Sequence, residues 1–148
     1  MPEQELTQTE ADALLALEKV AVSSDQVNFP DQGGVLILQL ASTDGRQQFL
    51  LDVRKARIDL VKGTYQNRAR QTVILARLDI GGPPHRNPDG EEVPCPHLHL
   101  YREGFGDKWA IPLPSQFTDP GDLWQSLEDF MSFINVSQRP NIQRGLFT

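Results

Sequence analysis

The stretch VLILQLASTDGRQQFLLDV, residues 35–53, decides the fold. Its two ends, residues 35–40 and 48–53, are rich in the aliphatic and aromatic side chains that strands favour. Asp44 and Gly45 lie between these ends, and an Asp-Gly pair is a strong signal for a tight turn between antiparallel strands. The stretch therefore predicts a β-hairpin within an antiparallel sheet.

A helix is predicted on each side of this sheet. Thr7 and Glu10 have the spacing of a capping box, and apolar residues follow them on one helical face. Asp119 and Pro120 are typical of an N-cap and a first helical position, and an apolar stripe follows them. The predicted elements are an N-terminal helix within residues 1–22, a C-terminal helix over residues 119–136 and a loosely held tail at residues 138–148.

The rest of the sheet is predicted between residues 35 and 112. Strand-forming residues recur at 72–80, 97–102 and 108–111. The segment 81–96 begins with three prolines and three glycines in ten residues, which argues against regular structure and predicts a long loop. The expected fold class is α+β, an antiparallel β meander of about five or six strands with an N-terminal and a C-terminal helix packed on it.

The length and composition are those of one globular domain, so residues 1–148 are expected to form a single unit. One cysteine excludes an internal disulfide, and no secretory leader or membrane-spanning apolar run is visible. These features predict a cytoplasmic protein without membrane contact. The net charge is −6, but residues 43–79 carry eight basic and four acidic side chains, which form a basic island.

All three histidines lie in the short segment from His85 to His99. Side chains alternate along a strand, so His97, His99 and Tyr101 are predicted to share one face while the intervening leucines enter the core. Imidazole titrates near neutral pH and serves as general acid, general base or metal ligand. The segment is therefore the candidate site, and the alternative is a sheet face on which these side chains are purely structural.

Metal binding is one interpretation of this segment. His97, His99 and Glu103 have the spacing His-x-His-x-x-x-Glu, which resembles the first ligand motif of cupins. His85 on the preceding loop would complete a site for zinc or another transition metal. The His-Leu-His triplet at 97–99 is also similar to the metal-binding strand of single-strand DNA nicking enzymes of the HUH type.

RNA cleavage without a metal or other cofactor is the interpretation favoured by the sequence. A base would remove the ribose 2′-hydroxyl proton, an acid would protonate the leaving oxygen, and cations would stabilise the phosphorane. The residues assigned to catalysis are His97, His99, Tyr101 and Arg102. The residues assigned to substrate binding are His85, Arg86 and Lys108, with Arg54, Lys55, Arg57, Lys62, Tyr65, Arg68 and Arg70 from the basic island.

A family resemblance covers residues 77–135. The motifs that carry it are RLDIG at 77–81, NPDG at 87–90, PHLH at 96–99 and KWA at 108–110. They resemble an uncharacterised family of small bacterial and prophage proteins, in which a Pro-His-Leu-His strand precedes a Trp-Ala strand. The resemblance implies a prophage or mobile-element setting and transfers no catalytic role. The layout of helices and meander is also similar to small RNases of the RelE and colicin type.

Three functions stay open on this evidence. The first is a nucleic-acid-directed protein of a prophage or toxin–antitoxin locus, with RNA or a nucleic-acid-associated protein as its partner. The second is a non-enzymatic protein that binds a protein partner, as phage-type inhibitors and antidotes do. The third is a metal-dependent enzyme with a His-x-His site.

Overall fold

The computed structural model describes residues 5–145, which form two helices and twelve strands. The helices are α1 (Gln8–Ala16) and α2 (Leu123–Phe133). The strands are β1 (Lys19–Ala21), β2 (Val27–Asn28), β3 (Val35–Ser42), β4 (Gln48–Lys55), β5 (Gly63–Ala69), β6 (Val73–Ile80), β7 (His85–Arg86), β8 (Glu92–Val93), β9 (His97–Leu100), β10 (Ala110–Pro112), β11 (Val136–Gln138) and β12 (Ile142–Gln143). The predicted α+β class is confirmed.

Eight strands form one mixed sheet in the order β10-β9-β6-β5-β4-β3-β1-β11. Its neighbours run antiparallel except for β1 and β11, which are parallel. Outside this sheet, β2 pairs with β12 in parallel and β7 pairs with β8 antiparallel. The prediction of five or six purely antiparallel strands was therefore wrong in number and direction. Most of the added strands have two or three residues, too few for a visible alternation.

The predicted hairpin is formed by β3 and β4, which pair over seven residue positions. Gly45 has a φ of 75° in the connecting turn, a conformation that glycine adopts without strain. The Asp44 carboxylate accepts hydrogen bonds from the Ser42 hydroxyl at 2.6 Å and from the Arg46 amide at 3.0 Å. The turn is thus held by its own side chains, and it lies where the Asp-Gly pair predicted a hairpin.

Helix α1 begins with the predicted capping box. The Thr7 hydroxyl accepts from the Glu10 amide at 3.1 Å, and the Glu10 carboxylate accepts from the Thr7 amide at 3.0 Å. The helix ends at Ala16 and does not continue to residue 22, because the backbone becomes extended at Leu17 and the chain then enters β1.

Lys19 joins the ends of the two helices. Its side chain is fully buried, and its ammonium donates to the carbonyls of Leu15, Leu17 and Ile134 at 2.8–2.9 Å. These carbonyls lie at the C-terminal ends of α1 and α2, where helix dipoles favour a cation. The ammonium also lies 4.7 Å from the centre of the Phe49 ring.

Helix α2 begins three positions after its expected cap. The Asp119 carbonyl accepts from the Asp122 amide at 3.0 Å, so this segment is a turn. Asp122 is the N-cap, and its carboxylate accepts from the amides of Trp124 and Gln125. The buried apolar face of the helix consists of Leu123, Leu127, Phe130 and Met131.

The predicted tail is ordered in part, because residues 142–143 form β12 and pair with β2. Residues 146–148 of that tail and residues 1–4 of the predicted N-terminal helix lie outside the described residues. Between residues 5 and 145, no helix combines the length and the apolar character needed to cross a membrane.

The main sheet has one face toward α2 and another face that carries the histidines of β9. Leu98, Leu78 and Tyr65 lie opposite one another on β9, β6 and β5, and cross-strand partners share a face. Tyr65 donates a hydrogen bond to the Leu123 carbonyl of α2 at 2.6 Å, which identifies this face as the inner one. The alternate residues of these strands therefore lie on the outer face.

The segment 81–96 covers part of the outer face. It was predicted to be irregular, but it contains the β7–β8 ribbon. Asn87 holds this ribbon against β10, because its side-chain amide donates to the Ala110 carbonyl at 3.0 Å and accepts from the Ala110 amide at 2.8 Å. His85 at the start of the ribbon is thereby brought over β9.

Candidate metal centre

Two neighbouring strands place four polar side chains together on the outer face. The antiparallel register of β6 and β9 sets Asp79 opposite His97 and Arg77 opposite His99. Residues opposite each other on neighbouring strands share a face, and so do residues two apart on one strand. All four side chains therefore point to the same side of the sheet. His97 and His99 are almost completely buried there, at 3% and 1% exposure, whereas Asp79 is 23% exposed.

Both histidines direct the same ring atom at one carboxylate oxygen. Asp79 Oδ2 lies 3.3 Å from His97 Nε2 and 3.2 Å from His99 Nε2. One ligand atom from each of the three residues lies within 4.8 Å of the other two. Two imidazole nitrogens and one carboxylate oxygen thus converge on a single point.

The opposite ring nitrogens of the two histidines contact backbone carbonyls. His99 Nδ1 is 2.8 Å from the Asp107 carbonyl, and His97 Nδ1 is 3.3 Å from the Pro94 carbonyl. Each ring therefore lies between two acceptors, a carbonyl at Nδ1 and the Asp79 carboxylate at Nε2, and a neutral ring has a proton for only one of them. Burial lowers the pKa of His97, against the opposing effect of Asp79, and so favours its neutral form.

Arg77 supplies positive charge to the same point. Its Nη2 lies 3.0 Å from His99 Nε2 and 3.2 Å from Asp79 Oδ2, and its Nη1 forms a salt bridge of 2.6 Å with Asp107. Burial acts to raise the pKa of Asp79, but the contacts with His99 and Arg77 outweigh it and lower that pKa to about 2. Asp79 is therefore a carboxylate at neutral pH.

The third histidine of the chain joins this group. The ring centre of His85 lies 4.5 Å from that of His99 and 5.9 Å from that of His97. His85 Nε2 is 2.7 Å from the Lys108 carbonyl, so it donates there and leaves its lone pair on Nδ1. The three histidines that were predicted to form one site are brought together.

Glu103, by contrast, does not belong to this group. Its carboxylate accepts from the Gln8 amide at 2.8 Å, at the start of α1. Asp79 occupies the position that the His-x-His-x-x-x-Glu spacing gave to Glu103. The sequence signal that identifies Asp79 is the polar alternation of Arg77 and Asp79 within an otherwise apolar strand.

Tyr101 and Arg102 also lie apart from the histidines. The regular β6–β9 pairing ends at Leu100, so the alternation does not extend to the next residue. The Tyr101 hydroxyl is buried against the backbone of Leu6, donating at 2.7 Å and accepting at 2.8 Å. The Arg102 guanidinium stacks on the Trp109 ring at 3.9 Å.

The basic island is divided by the fold. Arg54 and Lys62 line a cleft beside the histidines, whereas Arg68 is paired with Asp52 at 2.7 Å. The other predicted substrate-binding residues lie outside this cleft. Lys55 is buried over the Phe29 ring, Tyr65 is in the core, and Arg86 is paired with Glu92. Arg57, Arg70 and Lys108 are exposed, and the Lys108 carbonyl is bound to His85.

The chain belongs to DUF6978, a family of unknown function whose model matches residues 6–136. The match includes the segment 77–135 on which the resemblance was based and extends back to α1. Neither curated proteins nor solved structures gave a match. The prophage setting and the likeness to RelE-type RNases stay predictions.

Proposed function

We propose that this protein binds a divalent transition-metal ion through Asp79, His97 and His99. The observation that carries the proposal is the convergence of two Nε2 atoms on one carboxylate oxygen, at 3.2 and 3.3 Å. A metal with bonds of about 2.1 Å separates neighbouring ligand atoms by about 3.0 Å in octahedral and about 3.4 Å in tetrahedral coordination. Both nitrogen–oxygen spacings fall within this range.

The hydrogen-bond pattern also favours a cation at this point. A neutral imidazole that donates through Nδ1 to its carbonyl presents a lone pair to the Asp79 carboxylate, and a positive charge between the two atoms removes their repulsion. Metal-bound histidines commonly donate their other ring nitrogen to a carbonyl, and Nδ1 of His97 and of His99 lies 3.3 and 2.8 Å from one. In this structure Arg77 supplies positive charge to His99 Nε2 and Asp79 Oδ2.

The ligand types indicate the class of ion. Imidazole and carboxylate suit zinc, iron(II) and manganese(II), and a three-ligand set leaves a position for another ligand, as in catalytic sites. Zinc is the probe of choice because two histidines and one carboxylate are a ligand set of catalytic zinc sites. The ion would act as a Lewis acid toward a bound oxygen atom.

The test is a zinc titration of chelator-treated protein, followed by isothermal calorimetry. We expect one zinc per chain for the wild type, and a loss of affinity of about 100-fold or more for Asp79→Asn and for His99→Asn. Asp52→Asn is the matched control, since Asp52 is also a carboxylate paired with an arginine on the outer face. It should retain zinc binding.

A urea unfolding curve for each variant separates ligand loss from unfolding. If folded wild-type protein binds no zinc, manganese or iron(II) at 1:1 stoichiometry, the group is a hydrogen-bonded cluster and the proposal is wrong. An Asp52→Asn variant as weak as Asp79→Asn would also contradict it.

The nucleic-acid-directed function and the protein partner stay predictions. Metal-independent RNA cleavage retains His97 and His99 but lacks Tyr101 and Arg102 beside them. Incubation with RNA in excess chelator tests that reaction directly. Cleavage that survives the chelator and disappears in His97→Ala would favour acid–base catalysis over the metal.

A further inference from the structure

One cross-strand row joins the basic island to the metal ligands. Arg54 on β4 pairs with Thr64 on β5, Thr64 pairs with Asp79 on β6, and Asp79 pairs with His97 on β9. Cross-strand partners share a face, so these four side chains lie side by side on the outer face. Adjacent strands are about 4.8 Å apart, which places the Arg54 and Asp79 backbones about 10 Å from each other.

A cleft of about 400 Å³ opens along this row. Arg54, Thr64, Asp79 and His97 line it, and Lys62 enters from the turn that precedes β5. Pro83 and Pro84 form an apolar wall on the side of the 81–96 segment. Two metal ligands therefore border the cleft, and a molecule within it can reach the ion.

The charges in the cleft favour an anion. Arg54 and Lys62 are exposed, and neither forms an ion pair with any other residue in the range 5–145. Of the charged side chains within residues 5–145 that line the cleft, Arg54, Lys62 and Arg77 are cations and Asp79 is the one carboxylate; Arg77 pairs with Asp79 and with Asp107. Two uncompensated cations remain, together with the hydroxyl of Thr64 as a neutral donor.

We infer that this cleft binds the phosphate group of a phosphate ester next to the metal ion. The inference rests on the proposed function and names its substrate class. An arginine fork pairs with two phosphate oxygens, a lysine adds a point charge, and a metal ion binds phosphate oxygens directly. The apolar wall of Pro83 and Pro84 suits the organic part of the ester.

The experiment is calorimetric titration of the zinc-loaded protein with inorganic phosphate, adenosine 5′-monophosphate and an eight-nucleotide single-stranded RNA. Arg54→Gln and Lys62→Gln should each weaken phosphate binding by about tenfold, while zinc affinity changes by less than about threefold. Arg57→Gln is the matched control, because Arg57 is an exposed arginine of the basic island outside the cleft. It should bind phosphate like the wild type.

The outcomes separate this inference from the proposed function. A protein that binds zinc but not phosphate retains the proposed function and overturns the inference. Acetate that binds as tightly as phosphate, or an Arg57→Gln variant that is as weak as Arg54→Gln, would also overturn it. A wild type that binds no zinc contradicts the proposed function, and phosphate titration of the metal-free protein then decides separately whether the cleft binds phosphate.

The two larger probes distinguish the sources of the phosphate. Adenosine monophosphate that binds more tightly than inorganic phosphate supports a small ester that contacts the apolar wall. RNA that binds more tightly than the mononucleotide supports a phosphate within a nucleic-acid strand. In that case Arg54→Gln should lower the affinity for RNA and Arg57→Gln should not.

Discussion

Arg77 and a metal ion require the same two atoms. Arg77 Nη2 lies 3.0 Å from His99 Nε2 and 3.2 Å from Asp79 Oδ2, where an ion held by those ligands would carry its charge. The other end of the guanidinium is held by Asp107 at 2.6 Å. Asp107 therefore gives Arg77 an anchor that does not involve the proposed ligands, and the guanidinium would compete with a metal ion for those ligands.

Removal of this competitor should strengthen metal binding. For Arg77→Gln we expect zinc affinity to rise by about tenfold, because a cation that repels the ion and occupies its ligands is lost. Competition with a chromophoric chelator measures the change. Arg68→Gln is the control, since Arg68 pairs with Asp52 on the same face. Weaker zinc binding in Arg77→Gln would instead identify the arginine as a positioning residue for Asp79.

The sequence predicted only the part of the candidate site that follows from the alternation of side chains along one strand. His97 and His99 are two positions apart on one strand, so their common face follows from the sequence. Asp79 was missed because it joins them through the register of a neighbouring strand, which the sequence does not specify. Tyr101 was assigned to the same face, but regular pairing ends at Leu100 and its side chain enters the core.

Asn87 makes two of the hydrogen bonds that attach the β7–β8 ribbon to the sheet. Asn87 is buried, and both bonds go to the backbone of Ala110. The ribbon itself has only two residue pairs and cannot be stable alone. Asn87 therefore supports the position of His85 over β9, together with the bond from His85 to the Lys108 carbonyl.

The variant Asn87→Ala should release the ribbon from the sheet. Two backbone groups of Ala110 lose their partners, so we expect unfolding to cost about 2 kcal/mol less and the amides of residues 81–96 to exchange faster with solvent. Asn28→Ala, at an exposed asparagine of β2, should change the free energy of unfolding by less than about 0.5 kcal/mol. Unchanged exchange in Asn87→Ala would show that other contacts hold the ribbon.

Strands could be predicted from the sequence where a long run of residues is mostly apolar. The β3–β4 hairpin satisfies both conditions, and its turn residues agree with it. Strand β5 reads GTYQNRA, and its polar residues hid a strand in which Tyr65, Asn67 and Ala69 are buried. Strands β1 and β11 are three residues long and pair across most of the chain, so no local signal identifies them.

The two helices and the sheet meet at one buried ammonium group, that of Lys19. Burial lowers its pKa to about 8, below the ordinary value of 10.5. Between these values the unfolded chain holds a proton that the folded chain has lost, so the free energy of unfolding must rise with pH. The stabilisation linked to this amine is therefore gained as the pH rises above 8 and is lost as the pH falls through 8.

Urea unfolding at a series of pH values tests this linkage. From about pH 8 to about pH 9.5, we expect the free energy of unfolding of the wild type to rise by about 1 kcal/mol per pH unit relative to Lys19→Met. Lys62→Met, at an exposed lysine, should follow the wild type. Parallel curves for the wild type and Lys19→Met would show that the buried amine keeps its proton across this range.

The parallel pairing of β1 with β11 has a consequence for synthesis on the ribosome. Lys19 pairs with Val136, which is made 117 residues later, or roughly 6 to 23 s at ordinary translation rates. During that interval the outer edge of β1 presents unpaired amides and carbonyls, which can pair with other extended chains. The last strand of the main sheet to be translated therefore protects the nascent chain from its neighbours on the polysome.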